Sequence, residues 1–217
     1  MVDYDRLRRL LTSERLGSYL GASGDDLEAA FALYEWNIAA AAAAVSLTAM
    51  VEVVIRNALD AQMSAWARSR GLQDWFDAAP LDGRGRNDVV KARQRARRGG
   101  RIATHGRVVA ELNLGFWRFL VSRRYLTSLW VPRLSRAFPH APGTAHEQRQ
   151  LVENDLQQLL YLRNRAAHHE PIHRRDLAAD LKRSALLVGY VDPVAHDWVL
   201  ARQTLSEVLA HRPQSLS

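Results

Sequence analysis

No cysteine occurs in the 217 residues. That excludes disulfides and any metal site built on thiolates. Lysine is nearly as scarce, confined to Lys91 and Lys182. The excess of 30 Lys and Arg over 23 Asp and Glu is therefore carried by arginine, and the net charge of +7 favours a polyanionic partner. Long apolar runs are missing too. The uncharged stretch Ile38 to Val51 falls short of the ~20 residues that cross a bilayer, and much of it is the weakly apolar run Ala39 to Ala44. The opening Met1-Val2-Asp3-Tyr4-Asp5 is acidic and lacks the apolar core of a signal peptide. No strand-like alternation, internal repeat, low-complexity linker or carboxylate cluster with two-metal spacing is found. A cytoplasmic protein with no membrane partner and no cofactor is expected.

What is present is helical periodicity. Asp3 to Leu11 reads as a short helix. Ser13 can cap a second helix, with Leu16, Tyr19 and Leu20 on one face and Gly21 and Gly24 at its end. Asp25 can cap a third, and from Trp36 a long helix runs to about Arg70, stopped by Gly71. Asp77 to Gly85 reads as a loop. Thr104 caps a helix through Leu112, and Phe116, Trp117 and Phe119 read as core. Tyr125 to Phe138 is a further helical stretch, bent at Pro132. Thr144 with Glu147 forms a capping-box pattern, and Asp192-Pro193 starts a last helix ended by His211-Arg212-Pro213. The tail beyond it is expected to be loose. The expectation is an all-α fold, one domain over 1–217, with a core at about 25–175 and C-terminal helices 176–212 packed on it.

The chemistry concentrates at Tyr161-Leu162-Arg163-Asn164-Arg165-Ala166-Ala167-His168-His169-Glu170-Pro171. The upstream periodicity through Val152, Leu156 and Leu159 puts this stretch at a helix C-terminus, with Pro171 as the stop. Asn164 and His168 share a face. Arg163 and His168 are roughly 140° apart around the axis, so one helix does not easily aim both at one atom. A curled arginine or a second copy across a two-fold axis would bring them together. Histidine moves protons near neutral pH, and a guanidinium holds phosphate oxygens with a planar fork. Such a pair suits metal-independent RNA cleavage, with Arg163 and His168 catalytic and Asn164 and His169 supporting. Glu52 and Arg56, at i and i+4, form either a structural helical pair or the border of this cleft.

Two rival readings start from the same residues. His169-Glu170-Pro171-Ile172-His173 matches the H-E-x-x-H zinc signature, but Pro171 between the histidines is incompatible with one helix presenting both. Alternatively Arg163, Asn164 and His168 only cap the helix end, where cations suit the dipole, in a non-catalytic RNA-binding or dimerisation module. The densest positive run carries Lys91, Arg93, Arg95, Arg97, Arg98 and Arg101. It reads as a contact surface for RNA phosphates or as a solvated face.

Leu162-Arg163-Asn164 with Ala167-His168-His169 resembles the R-x4-6-H box of HEPN-domain ribonucleases. The wider order resembles the Abi-like (abortive infection) branch: Leu33-Tyr34-Glu35-Trp36-Asn37, then Glu52 to Arg56, then Leu114-Gly115-Phe116-Trp117, then the box itself. The resemblance spans roughly Asp25 to Arg175. Glu170-Pro171-Ile172-His173 departs from the family's usual continuation. The resemblance implies a HEPN-like helical bundle, a homodimeric endoribonuclease leaving cyclic phosphate ends, and an antiphage, toxin-like role with a neutralising antitoxin.

Overall fold

A computed structural model describes residues 2–213, and their regular structure is entirely helical. Met1 and the tail Gln214 to Ser217 lie outside the described residues. The ten α-helices are α1 (Tyr4–Leu11), α2 (Ser13–Leu20), α3 (Leu27–Arg68), α4 (Gly83–Ala96), α5 (His105–Glu111), α6 (Leu114–Leu120), α7 (Ala145–Ala167), α8 (Leu177–Val191), α9 (Pro193–Arg202) and α10 (Leu205–Ala210).

The molecule is built on α3. Its 42 residues contain neither proline nor glycine, so nothing interrupts a rod about 63 Å long. Asp26, not Asp25, is its cap: the Asp26 carboxylate accepts the Ala29 N–H at 3.0 Å, while Asp25 turns the chain at φ 64°. The two helices expected to meet at Trp36 are thus one. Along α3, Ala40, Ala44, Leu47, Val51, Ile55, Leu59 and Met63 have no exposed surface, a stripe at steps of three and four. Elements α2, α7, α8 and α10 pack on this side. By length and composition α3 could also cross a membrane, with a mean hydropathy of 2.2 over its most apolar 18 residues; 44% of that window is buried inside the protein.

The remaining elements follow local signals with some shifts. Thr12, not Ser13, holds the cap position of α2. The expected loop at Asp77 to Gly85 is shortened, because the Asp82 carboxylate accepts the Gly85 N–H at 2.8 Å and opens α4. Tyr125 to Phe138 is no α-helix but a string of 3₁₀ and π turns. The capping box at Thr144 and Glu147 is complete, and Asp192 with Pro193 starts α9. The helix expected after Pro193 breaks at Gln203, and α10 follows. Its Val208 carbonyl accepts the Trp36 indole N–H at 2.8 Å, returning the end of the described chain to α3.

The aromatic residues after α3 form a second packing centre. Trp75, Phe76, Phe116 and Trp117 are buried with ring centroids 4.4–6.1 Å apart. Phe119 is half-buried, edge-on to Tyr125 and under the Arg84 guanidinium. The Asp60 carboxylate on α3 anchors this centre, accepting the Trp75 indole N–H at 2.8 Å and facing His105 Nε2 at 2.9 Å. The buried stripe predicts a sharp asymmetry. Ile55→Ala should lower unfolding free energy by about 3 kcal/mol, whereas Val90→Ala, at an exposed position of α4, should change it by less than about 0.5 kcal/mol, both read from urea denaturation.

Candidate functional site

The motif stretch ends α7 by backbone geometry, not by Pro171. Helical dihedrals stop at Ala167, and His168 is the cap residue at φ −93° and ψ 10°. His169 then takes the left-handed conformation, φ 57°. Its N–H donates to the Ala166 carbonyl at 3.2 Å, and the Glu170 N–H donates to the Arg165 carbonyl at 2.8 Å. This pair of bonds is a Schellman closure, normally made with glycine at the left-handed position. The expected stop at Pro171 is therefore four residues too late. Both histidines are solvent-exposed on the resulting knuckle.

The segment after the knuckle is a strap stitched to distant elements. Arg165 reaches the Pro171 carbonyl at 3.2 Å and the Glu170 carboxylate at 3.6 Å. The Ile172 N–H donates to Asn37 Oδ1, a buried amide on α3, at 2.8 Å. His173 is 1% exposed, its Nε2 lies 2.6 Å from the Ser18 hydroxyl, and its ring packs on Tyr19. Arg212 Nη2 donates to the His173 carbonyl at 2.8 Å. Hence the two histidines of the H-E-x-x-H match point apart: His173 is fixed inward on α2 while His169 faces solvent. No helix presents them together.

Arg163 is half-buried and faces α3. There the Glu52 carboxyl is held above the ordinary carboxylate range by burial, against the opposing pull of Arg163, then Arg56, then the Leu114 amide at the start of α6. The structure thus brings Arg163, Glu52 and Arg56 into one polar cluster where α3, α6 and α7 meet. The Arg56 Nε is buried and has no hydrogen-bond partner. Arg163 Nη1 makes a long contact to Asn164 Oδ1 at 3.4 Å. Asn164 opens instead onto a shallow surface site with Tyr161, Arg165, Glu170 and Arg175. Among the described residues no hydrogen bond or ion pair joins Arg163 to His168.

Beside the knuckle lies a groove of about 750 Å³, walled by Arg15, Tyr34, Ile38, Val45, Ala167 and His169. It is mostly apolar, and Asn37 also lines it. The basic run divides into two sets. Arg93 is clamped to the Asp77 carboxylate at 2.6 Å by both terminal nitrogens, and Arg95 is paired with Glu111 at 2.9 Å. Lys91, Arg97, Arg98 and Arg101 are exposed. Arg98 and Arg101 line a shallow site of about 290 Å³ with Arg107, a residue the sequence reading passed over.

Other polar residues of note were also invisible in sequence. Asp155, half-buried on α7, is pushed up to about 6 by burial, with Arg183 acting the other way. Asp180 is buried and held by Arg175 at 2.8 and 2.9 Å. Neither carries a motif; Asp155 depends on the approach of α8, and Asp180 on the turn that brings Arg175 back over the start of its own helix. Comparison of the chain with family models, with curated proteins and with solved structures returned no match.

Two outcomes follow from this geometry. A residue with a Cβ at a left-handed position is strained by about 1 kcal/mol, so His169→Gly should raise the thermal midpoint, measured by calorimetry. The second concerns His173, whose imidazole burial holds below its ordinary value, with Arg174 and Arg212 acting the same way. The unfolded chain then binds this proton more readily than the folded one. Stability should fall as pH drops below about 6.5, the value in the unfolded chain. His173→Gln should flatten that loss relative to the parent in urea titrations at pH 7.5 and 5.5. The comparison isolates His173 from Asp155, whose raised carboxyl gives a slope of opposite sign between its unfolded value and about pH 6.

Proposed function

We propose that the protein is a metal-independent endoribonuclease in which His168 moves the proton and Arg163 stabilises charge on the phosphorus centre. The observation that carries the reading is that α7 ends on an exposed imidazole, His168, and bears a half-buried arginine, Arg163, on its side toward Glu52 less than two turns earlier. A fully exposed arginine would pay more ordering entropy on meeting a phosphate than one whose stem is half-buried against α3. The resemblance of the Leu162 to His169 box to HEPN ribonucleases points the same way.

The chemistry balances without an external nucleophile. His168 takes the proton from a ribose 2′-hydroxyl, and the 2′-oxygen forms a bond to phosphorus. The bond to the 5′-oxygen breaks, and that oxygen leaves with a proton from a second acid. The products are a 2′,3′-cyclic phosphate and a 5′-hydroxyl. Arg163 offers its fork to the two non-bridging oxygens as charge builds on them. His169, on the same knuckle, would have the supporting part, as the second acid or as the group that holds the base. The exposed Lys91, Arg97, Arg98 and Arg101 would hold phosphates away from the cut, adding affinity without sequence choice. Arg93 and Arg95, already paired, would contribute less.

By the same resemblance the setting is cytoplasmic growth arrest during phage attack, with RNA as substrate, a second copy completing the active unit and an antitoxin restraining it. The Schellman geometry also supports the non-catalytic alternative, since His168 and His169 close the helix whether or not they touch RNA. Activity separates the two. Purified protein should cleave single-stranded RNA in the presence of chelator. His168→Ala and Arg163→Ala should each lower the rate by about 10²- to 10⁴-fold while leaving far-UV circular dichroism unchanged. Full activity in both variants, or loss in chelator with recovery on zinc, would refute the assignment.

A further inference from the structure

We propose that the groove beside the knuckle seats one unpaired nucleobase of the RNA, and that this groove, not the basic run, supplies sequence choice. The proposal rests on the ribonuclease reading for the kind of molecule that arrives; it adds where a base goes and which bases are favoured.

The groove exists because side-chain volume is missing where α3 and α7 pack together. Its lining includes Ala41 and Ala42 from α3 and Ala166 and Ala167 from α7. Four alanines leave about 750 Å³ open where larger residues would close the seam, a volume ordinary for a small-molecule site. Ile38 and Val45 extend the apolar wall.

One amide breaks that apolar lining. Asn37 is 3% exposed, and its Oδ1 accepts the Ile172 N–H at 2.8 Å. This bond fixes the amide, so the other end, Nδ2, is a donor. Among the described residues Nδ2 has no hydrogen-bond partner, and Asn37 lines the groove. An occupant that displaced water without accepting from Nδ2 would leave a buried donor unmade, which is costly. The occupant must therefore carry an acceptor into an otherwise aliphatic slot. A hydrocarbon chain has none. A free phosphate has several, but would meet a single neutral donor between apolar walls. A nucleobase has acceptors on the edge of a flat, weakly polar body.

The rim suits the rest of a nucleotide. Arg15 of α2 lines the groove with its guanidinium carbon 5.9 Å from the centroid of the Tyr34 ring, and His169 of the knuckle lines it too. Aromatic rings and guanidinium planes are the surfaces on which splayed-out bases stack. No carboxylate is among the described residues that line the groove, so its field complements an anionic strand. His169 directly follows His168. A strand whose base enters the groove therefore has its sugar and phosphate at the knuckle.

The spent Oδ1 sets the preference. Asn37 offers the groove a donor and no acceptor. The carbonyls of uracil and guanine answer it, whereas the amino group of adenine finds nothing to receive its proton.

Fluorescence anisotropy with 2′-O-methyl oligonucleotides tests the groove apart from cleavage, because these strands have no 2′-hydroxyl to attack. The parent should bind an oligouridylate about tenfold tighter than an oligoadenylate of equal length at one salt concentration. Ala42→Trp, at an exposed position, fills the slot and should erase that ratio while leaving salt-dependent binding to both strands. Ile38→Glu, at a position 51% exposed, should erase it by charge. Arg98→Ala with Arg101→Ala should do the converse, weakening both strands alike with the ratio kept. Thermal midpoints matching the parent's show that each variant is folded. Equal affinity of the parent for the two strands, or a preference that survives both groove variants, would overturn the proposal. So would a fatty acid that binds the parent, is expelled by Ala42→Trp and is not displaced by either strand. A groove-dependent uridine preference in a protein that cleaves no RNA would refute the chemistry and keep the groove. Cleavage with no such preference would refute the groove and keep the chemistry.

Discussion

The packing of α7 against α3 is the contact on which the rest depends. The two helices run in opposite directions, because Arg163 lies at Glu52 while the later His169 lies at the earlier Val45. The inner stripe of α3 from Ala40 to Met63 fixes this register through steric fit, with side chains of zero exposure over more than six turns. Sliding α7 by one turn would move Arg163 off Glu52, strip Asn37 from the Ile172 amide and open the groove at Tyr34. Core packing therefore sets the polar arrangement, and the polar groups reinforce it only at the ends.

Legibility in the sequence followed the range of each interaction. Short-range chemistry could be read directly. The Thr144–Glu147 box, the Asp192-Pro193 start and the halt of α3 near Gly71 each need only residues a few positions apart. Long-range chemistry could not. Asn37 looks like a polar interruption near Trp36 and invites a helix boundary there, yet its amide is consumed by Ile172, 135 residues away. His173 reads as a member of a metal motif until Ser18, 155 residues upstream, is seen to hold it. The stretch from Tyr125 to Phe138 has helical composition, but Trp130 and Phe138 are drawn into the core, and the chain takes 3₁₀ and π turns to put them there.

The charge pattern carries a similar lesson. Six cations in the Lys91 to Arg101 run look alike in sequence. In the fold, Arg93 and Arg95 face carboxylates from a loop and from α5, which spends their charge on holding α4 in place, and Arg107 from the next helix joins the exposed set. Place in the fold, not density of charge, decides which arginines remain available: Arg93 and Arg95 lie within α4, and Arg97, Arg98 and Arg101 lie beyond its last residue, Ala96. At Glu52 the opposite holds: its environment is set by two arginines and an amide from three helices, and burial still outweighs them.

The strap from Glu170 to His173 has a consequence for the order in which the protein comes into being. Its ties reach back to Ser18 and Asn37 and forward to Arg212, 39 residues downstream of His173. During synthesis the knuckle emerges while α8, α9 and α10 are still to be made. The backward ties can form at once, whereas the Arg212 tie, and the Trp36 clasp on Val208, must wait for the C-terminal helices. The stretch bearing Arg163 and His168 therefore passes through an interval in which it is exposed but only partly braced. Its final rigidity is a late, non-local event in the life of the nascent chain.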